Sequence, residues 1–343
     1  MKTWNGYQKG VNLGGWFSQC DYSTKRYNTF ITKEDIKNLS TWGIDHVRVP
    51  IDYNLVEDNS GNFLETGFSY VQKIIDWCEL YGLNMILDLH KTIGYSFDNN
   101  EKEDGFFTND FYQECFYRLW EEFARRYGSY KNRLAFELLN EVTDISYSDK
   151  WNRISVECIK RIRRICPDID ILVGGYWNNN VRAVKDLAQP VDEHIIYNFH
   201  CYDPLIFTHQ GATWLSGMTP DYRFTYEHTY QEYYDNFEKI FGDSLGELPK
   251  VSNMNDTFGP DFFRTIFAEA IKVAEERNVA LYCGEYGVID LAKPKDTLKW
   301  FQAIHEVFAE NGIGRAAWTY HEMNFGLNDE HYAEILEELK RYL

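Results

Sequence analysis

The sequence predicts a closed (β/α)8 barrel, the TIM barrel class, carrying an insertion after its sixth strand. Three observations predict it. Eight short runs rich in β-branched and aromatic residues recur along the 343 residues. Helical patterns separate them, which calls for parallel βαβ units. The runs also end, one after another, on polar or aromatic residues, as strands do when they feed a cleft at the C-terminal face of a barrel. The length suits one large α/β domain or two ordinary ones. Eight alternating strands favour a single barrel domain over residues 1–343.

In chain order the strand candidates are YQKGVNL (7–13), DHVRVP (45–50), NMILDLH (84–90), LAFELLN (134–140), DILVGG (170–175), IIYNFH (195–200), VALYCGE (279–285) and GRAAWTY (314–320). Between the first two, TKED (32–35) has the form of a capping box opening a helix. Phe68, Val71, Ile75 and Cys78 follow a 3,4,3 spacing, and Phe111, Cys115, Leu119 and Phe123 a 4,4,4 spacing; each predicts the apolar stripe of a helix. Leu298, Phe301, Ile304 and Phe308 repeat the pattern after Pro294, which suits a first helical turn. Tyr332, Ile335, Leu336 and Leu339 end the chain on one face. A barrel of this class typically needs about 250 residues. The excess falls mostly between His200 and Phe262, where TYEHTYQEYYDNF (225–237) has helical character. Residues 203–258 are therefore expected to form an insertion over the active-site face.

Composition narrows the function classes. The 35 basic and 53 acidic residues give a formal charge of −18, which repels phosphate backbones and anionic polysaccharides and makes nucleic acid an unsuitable partner. No apolar run approaches a membrane span. The opening MKTWNGYQKG shows no secretory h-region; the chain reads as cytoplasmic as written, or secreted if a leader has been removed. Seven cysteines without a CxxC read as free buried thiols. No HxH or HExxH spacing is present, so no metal or cofactor is expected. Aromatic residues make up 17% of the chain. Most must be core, but flat faces along a cleft would also suit sugar rings.

The strand ends carry the chemistry. AFELLNEV (135–142) is an apolar strand that closes on Asn140 and Glu141. The others offer Arg48 on strand two, His90 on three, His200 and Tyr202 on six, Glu285 on seven and Trp318 on eight. Strands four and seven face each other across a barrel mouth, so Glu141 and Glu285 would form a carboxyl pair across the cleft. Glycoside hydrolysis needs such a pair: one group protonates the leaving oxygen, the other attacks C1 or activates water. Asn140 would hydrogen-bond a sugar 2-hydroxyl, Arg48 and Tyr202 would hold Glu285 ionised, His200 would modulate Glu141, and Trp318 would floor the reacting ring. Trp177 and Trp214 are the candidate cleft platforms, while Trp16, Trp120, Trp151 and Trp300 are open between core and platform. Strand alternation turns Cys201 and Cys283 away from the cleft, towards packing.

The ordered motifs GVNLGGW (10–16), DHVRVP (45–50), DLH (88–90), ELLNE (137–141), NFHCY (198–202), GEYG (284–287) and AWTY (317–320) resemble those of glycoside hydrolase family 5, in the clan of retaining (β/α)8 glycosidases. The resemblance implies Glu141 as acid/base and Glu285 as nucleophile. It places Arg48, His90, Asn140, His200, Tyr202 and Trp318 in supporting roles, with Asn12 of the first motif beside them. Lys91 departs from it, since many members carry a second His there, and this puts the local sugar contacts in question. FELLNEV, LYCGE and Phe207-Thr208-His209-Gln210 resemble clostridial-type endoglucanases and lichenases. That resemblance implies cleavage of β-1,4 bonds in mixed-linkage β-glucan or soluble cellulose. The chain is expected to act as a monomer. A β-mannanase or other β-glycosidase on the same fold, a metal-dependent hydrolase and a non-catalytic glycan-binding protein remain as alternatives.

Overall fold

The computed structural model describes residues 1–58, 60–98, 101, 103–242 and 248–343. Eight strands close into a parallel barrel in chain order: β1 (Lys9–Asn12), β2 (His46–Asp52), β3 (Asn84–Lys91), β4 (Leu134–Glu137), β5 (Ile171–Gly174), β6 (Ile195–Cys201), β7 (Ala280–Tyr286) and β8 (Gly314–Ala317), with β8 pairing back onto β1. All eight expected strands are present. Beyond the start of β1 every strand residue is buried apart from Asn84, as a sheet covered on its outer face by helices requires. Register shifts fall between Ile51 and Asp52, Phe199 and His200, and Cys283 and Tyr286. All lie at the C-terminal ends, where an irregularity re-aims a side chain into the cleft.

The helices follow from their local sequences. Asp35 accepts from both the backbone N–H and the hydroxyl of Thr32 at 2.7 Å, closing the capping box that opens Lys33–Ser40. Helix Glu65–Tyr81 buries Phe68, Val71, Ile75 and Cys78 and stops at Gly82, whose φ of 74° suits glycine. Pro294 is the first residue of Pro294–Asn311, which buries the four predicted apolar residues. Two expectations need correction. In Asp110–Tyr127, Cys115, Leu119 and Phe123 are buried but Phe111 is 66% exposed. A strict 4-residue step drifts about 40° per step around a 3.6-residue helix, so the fourth member leaves the stripe. At the C-terminus Tyr332, Ile335 and Leu339 are buried, yet the chain there forms two short pieces, Glu330–Tyr332 and Leu336–Leu339, with Ile335 capping the second, rather than one helix.

Between β6 and β7 the chain forms Leu205–Thr208 and Tyr230–Phe241 before the barrel helix Pro260–Arg277. The helical part of 225–237 therefore begins at Tyr230, where Thr229 and Glu232 close a second capping box. This segment packs on its own aromatic residues: Tyr233 stacks on Phe258 at 4.4 Å, and Phe224 meets Tyr233 edge-on at 4.8 Å. Residues 243–247 of the expected 203–258 insertion lie outside the described residues. Trp16, Trp120, Trp151 and Trp300 are fully buried, so they belong to the core. All seven cysteines are free; Cys201 and Cys283 lie in the apolar core. No helix among the described residues is long and apolar enough to cross a membrane.

Candidate active site

The strand ends bring the predicted polar residues together around one guanidinium. Arg48, fully buried, donates from Nε and Nη2 to the two oxygens of Glu137 (2.7 and 2.8 Å), and from Nη1 to Glu285 Oε1 (2.8 Å) and Asn12 Oδ1 (2.9 Å). Its Nη2 also reaches Asn140 Oδ1 and Asp88 Oδ2, each at 3.0 Å. The second oxygen of Glu285 accepts from the Tyr202 hydroxyl at 2.9 Å. Burial and the neighbouring carboxylates push the Tyr202 phenol well up, so it stays a donor. Both oxygens of Glu285 thus face donors, one of them cationic.

Glu141 sits in a different environment. His200 Nδ1 donates to its Oε1 at 2.8 Å and lies 3.7 Å from Glu285 Oε2. Asn178 Nδ2 donates to its Oε2 at 2.8 Å. Burial pushes the Glu141 carboxyl above its usual range, with the Asn178 hydrogen bond opposing. Burial lowers His200 to about 4, so the ring between the two carboxyls is neutral. The backbone at Glu141 has φ 39°, a left-handed conformation that non-glycine residues rarely adopt. Tyr95 secures it by donating to the Glu141 carbonyl (2.7 Å) while accepting from Thr143 N–H (2.9 Å).

The two carboxyls are close. One oxygen of Glu141, one of Glu285 and one His200 nitrogen all lie within 4.8 Å of one another. A set this compact has the size of a cation site, but His200, Asn178, Arg48 and Tyr202 already donate to all four carboxylate oxygens. A bound cation would have to displace these donors. A carboxyl pair so spaced and so differently surrounded is equipped for acid and nucleophile work at one centre.

The sequence matches the Cellulase (glycosyl hydrolase family 5) model over residues 6–324. The chain belongs to glycosyl hydrolase family 5. It is 47% identical over 310 residues to cellodextrinase A of Ruminococcus flavefaciens, covering 90% of this chain and 84% of that one. It is 36% identical over 344 residues to endoglucanase C of Acetivibrio thermocellus, covering 98% of each. A solved endoglucanase superposes with a TM-score of 0.76 at 21% identity, over 98% of this chain and 97% of that one, which bears on the fold alone. This family 5 chain is a glycoside hydrolase.

The remaining predicted residues of this family 5 enzyme fall in three places. Around the carboxyls, His90 Nδ1 donates to Asp88 Oδ2 (2.6 Å), and its Nε2 accepts from Asn140 Nδ2 (3.4 Å). Burial lowers the His90 ring, which keeps it neutral in that relay. Trp318 stacks nearly parallel to His90, with centroids 5.9 Å apart and planes 8° apart. Gly14 makes room for the indole, since a Cβ there would lie 2.6 Å from its outer ring. Asn12 lies beneath the site, fully buried, where its amide donates to the carbonyls of Gly284 (2.9 Å) and Ala316 (3.1 Å) and ties β1 to β7 and β8. Trp177 and Trp214 are 47% and 55% exposed. Trp177 directly precedes Asn178, and Trp214 meets His209, which in turn packs edge-on against Tyr202 at 5.0 Å.

Sequence reasoning missed a supporting layer. Asp88 and Glu137 share Arg48, Asn198 donates to Glu137 (2.8 Å), and Asn179 reaches His200 Nε2 (3.4 Å). A signal for two of them was present. Asp88 precedes His90 by two residues and Asn198 precedes His200 by two, so strand alternation puts each below its partner on the inner face. Asn178 and Asn179 lie in a loop where Trp177, Asn178 and Asn179 all have φ between 51° and 58°. The Asn-rich WNNN sequence suits such a run, but nothing in it indicates which residue faces Glu141.

Proposed function

We propose that this glycoside hydrolase is a retaining β-1,4-glucanase acting on soluble glucan chains: mixed-linkage β-glucan, soluble cellulose and cello-oligosaccharides. The observation that carries the reading is the Glu141–Glu285 pair, with carboxylate oxygens within 4.8 Å and opposite surroundings. Retaining enzymes hold their carboxyls about 5–5.5 Å apart, whereas inverting enzymes leave roughly 6.5–9.5 Å for a water. The cellodextrinase and endoglucanase names of the relatives support a β-1,4-glucan substrate.

In this mechanism Glu285 Oε attacks the anomeric carbon while the C1–O bond to the leaving sugar breaks and Glu141 gives its proton to that oxygen. The product is a glycosyl ester on Glu285. Water then attacks C1, Glu141 takes its proton, and the ester bond breaks with overall retention. Arg48 and Tyr202 position the nucleophile. Asn140 is held by Arg48 and His90 with its amide directed by both, ready for the 2-hydroxyl of the reacting sugar, and Trp318 lies under that ring. Trp177 and Trp214, together with the 203–258 segment, add exposed aromatic faces along the cleft.

The test is product analysis on barley β-glucan, carboxymethyl cellulose, mannan, xylan and laminarin. Oligosaccharide release from β-glucan with retained anomeric configuration is expected. Glu285→Gln should abolish turnover with the melting temperature kept, and Glu141→Gln should lower kcat by about 10²–10⁴. Activity on mannan with silence on glucans would overturn the substrate, and inverted product would overturn the mechanism.

A further inference from the structure

After β3 the chain leaves the barrel and returns, and it is pinned at several points. Thr92 and Tyr95 exchange backbone hydrogen bonds (3.1 and 3.0 Å), and Phe106 N–H closes onto the Gly94 carbonyl (2.9 Å). Glu103 accepts from Gly94 N–H and from the Tyr53 hydroxyl, both at 2.8 Å. Glu101 accepts from Lys91 Nζ (3.0–3.1 Å). Lys91, the departure from the family pattern, is itself buried. Its ammonium also donates to the Tyr22 hydroxyl oxygen at 3.0 Å and lies 3.6 Å from Asp52, to which Tyr22 donates at 2.7 Å. Loops following β1 and β3 are thereby strapped together across the end of β2.

Between the Tyr95 and Glu101 pins sits Phe97. Its ring is partly exposed and packs on His90 rather than on the apolar core, with centroids 5.0 Å apart and planes at 84°. Because His90 is parallel to Trp318 within 8°, Phe97 stands nearly upright to the plane of the Trp318 floor. A pyranose lying flat on that floor would meet an upright ring on the β3 side. The backbone is tied on both sides of this ring, by the Thr92–Tyr95 exchange before it and by Glu101 N–H donating to the Asp98 carbonyl (3.0 Å) after it.

We infer that Phe97, held by the Tyr22–Asp52–Lys91–Glu101 strap, is a specificity-determining wall that stops the bound glucan on the β3 side of the reacting ring. The inference rests on the glucanase reading above. It makes chain length part of the selectivity: short soluble chains whose end abuts the wall are preferred, and polymer that must continue past it is disfavoured.

The experiment compares wild type, Phe97→Ala and Lys91→Met. It reads kcat/KM on carboxymethyl cellulose relative to cellotetraose, and product lengths from cellohexaose. Phe97→Ala is expected to raise the polymer-to-tetraose ratio roughly tenfold, the scale of steric discrimination in a pocket, and to broaden the product lengths. Lys91→Met should move both in the same direction by freeing the loop. Should Lys91→Met fold poorly, Phe97→Ala carries the test, because that ring lies outside the core. A ratio changed by less than about twofold with unaltered products overturns the wall. So does a rise in the cellotetraose KM alone, which would make Phe97 a stacking platform. Wild type silent on every glucan overturns the glucanase reading itself, a result distinct from wild-type activity with an unmoved ratio.

Discussion

At the residue scale the site is governed by proton bookkeeping around Arg48. One guanidinium faces three carboxyls, Asp88, Glu137 and Glu285, in a fully buried setting. Not all three can ionise cheaply there. Burial pushes Asp88 to about 7 and raises Glu137, with the Arg48 charge opposing in both. Glu141 is tuned separately, through burial and Asn178. Asn178→Ala removes a hydrogen bond that favours the ionised carboxyl, so the Glu141 pKa should rise further. The alkaline limb of the kcat/KM profile, where the acid loses its proton, should then move to higher pH. Activity at the optimum should fall by no more than about tenfold, the scale of one hydrogen bond. A limb that stays in place or moves to lower pH would remove Glu141 from the acid role. Asn178 also marks where sequence reading stopped. Glu141 and Glu285 are legible because strand ends have a fixed address in a barrel, whereas Asn178 reaches Glu141 from a left-handed loop whose path no periodicity encodes.

At the element scale, the strands were legible because apolar runs of this length, spaced by helical patterns, admit few other arrangements. Strand alternation carries further information. It sets Asp88 below His90 and Asn198 below His200, so the supporting layer is the sheet's own period of two continued inward. Helix faces were less legible where the spacing was uniform, as Phe111 shows, because a 4-residue step and a 3.6-residue turn diverge within three steps. Close packing is another feature that spacing hides. Gly67 lies in the first turn of Glu65–Tyr81, and a Cβ there would come within 1.9 Å of the Leu55 carbonyl oxygen. That atom is backbone and cannot rotate away. Gly67→Ala should therefore push the helix off the Tyr53–Val56 turn and cost about 1–3 kcal/mol, as overpacking does. The measurement is the urea midpoint, with the m-value unchanged and turnover retained. An unshifted midpoint would show that the helix accommodates the methyl by sliding.

At the scale of the whole molecule, His209 joins the segment after β6 to the barrel mouth. Its ring meets Tyr202 at 5.0 Å, Phe325 at 5.3 Å and Trp214 at 6.2 Å, one from the end of β6, one from the loop after β8 and one from the segment itself. The Thr208 hydroxyl lies 3.1 Å from its Nδ1. Burial alone lowers His209 from 6.5 to about 3, so the folded protein holds it neutral while the unfolded chain protonates it near 6.5. The sign follows from linkage: a group whose folded pKa is depressed lends stability above its unfolded pKa and loses it as pH falls towards the folded value. Other buried groups oppose this trend. Asp88, raised to about 7, favours the folded state on acidification, so the net acid response of the molecule does not isolate His209. A difference measurement does. His209→Gln removes the titration and keeps a polar side chain of similar reach, at a pH-independent packing cost. Wild type should therefore exceed the variant most above pH 6.5, and the gap in melting temperature should narrow steadily as pH falls from 6.5 towards 3. A gap that stays constant with pH would mean that water reaches the ring and that the contacts at 5.0–6.2 Å do not seal the segment against the barrel.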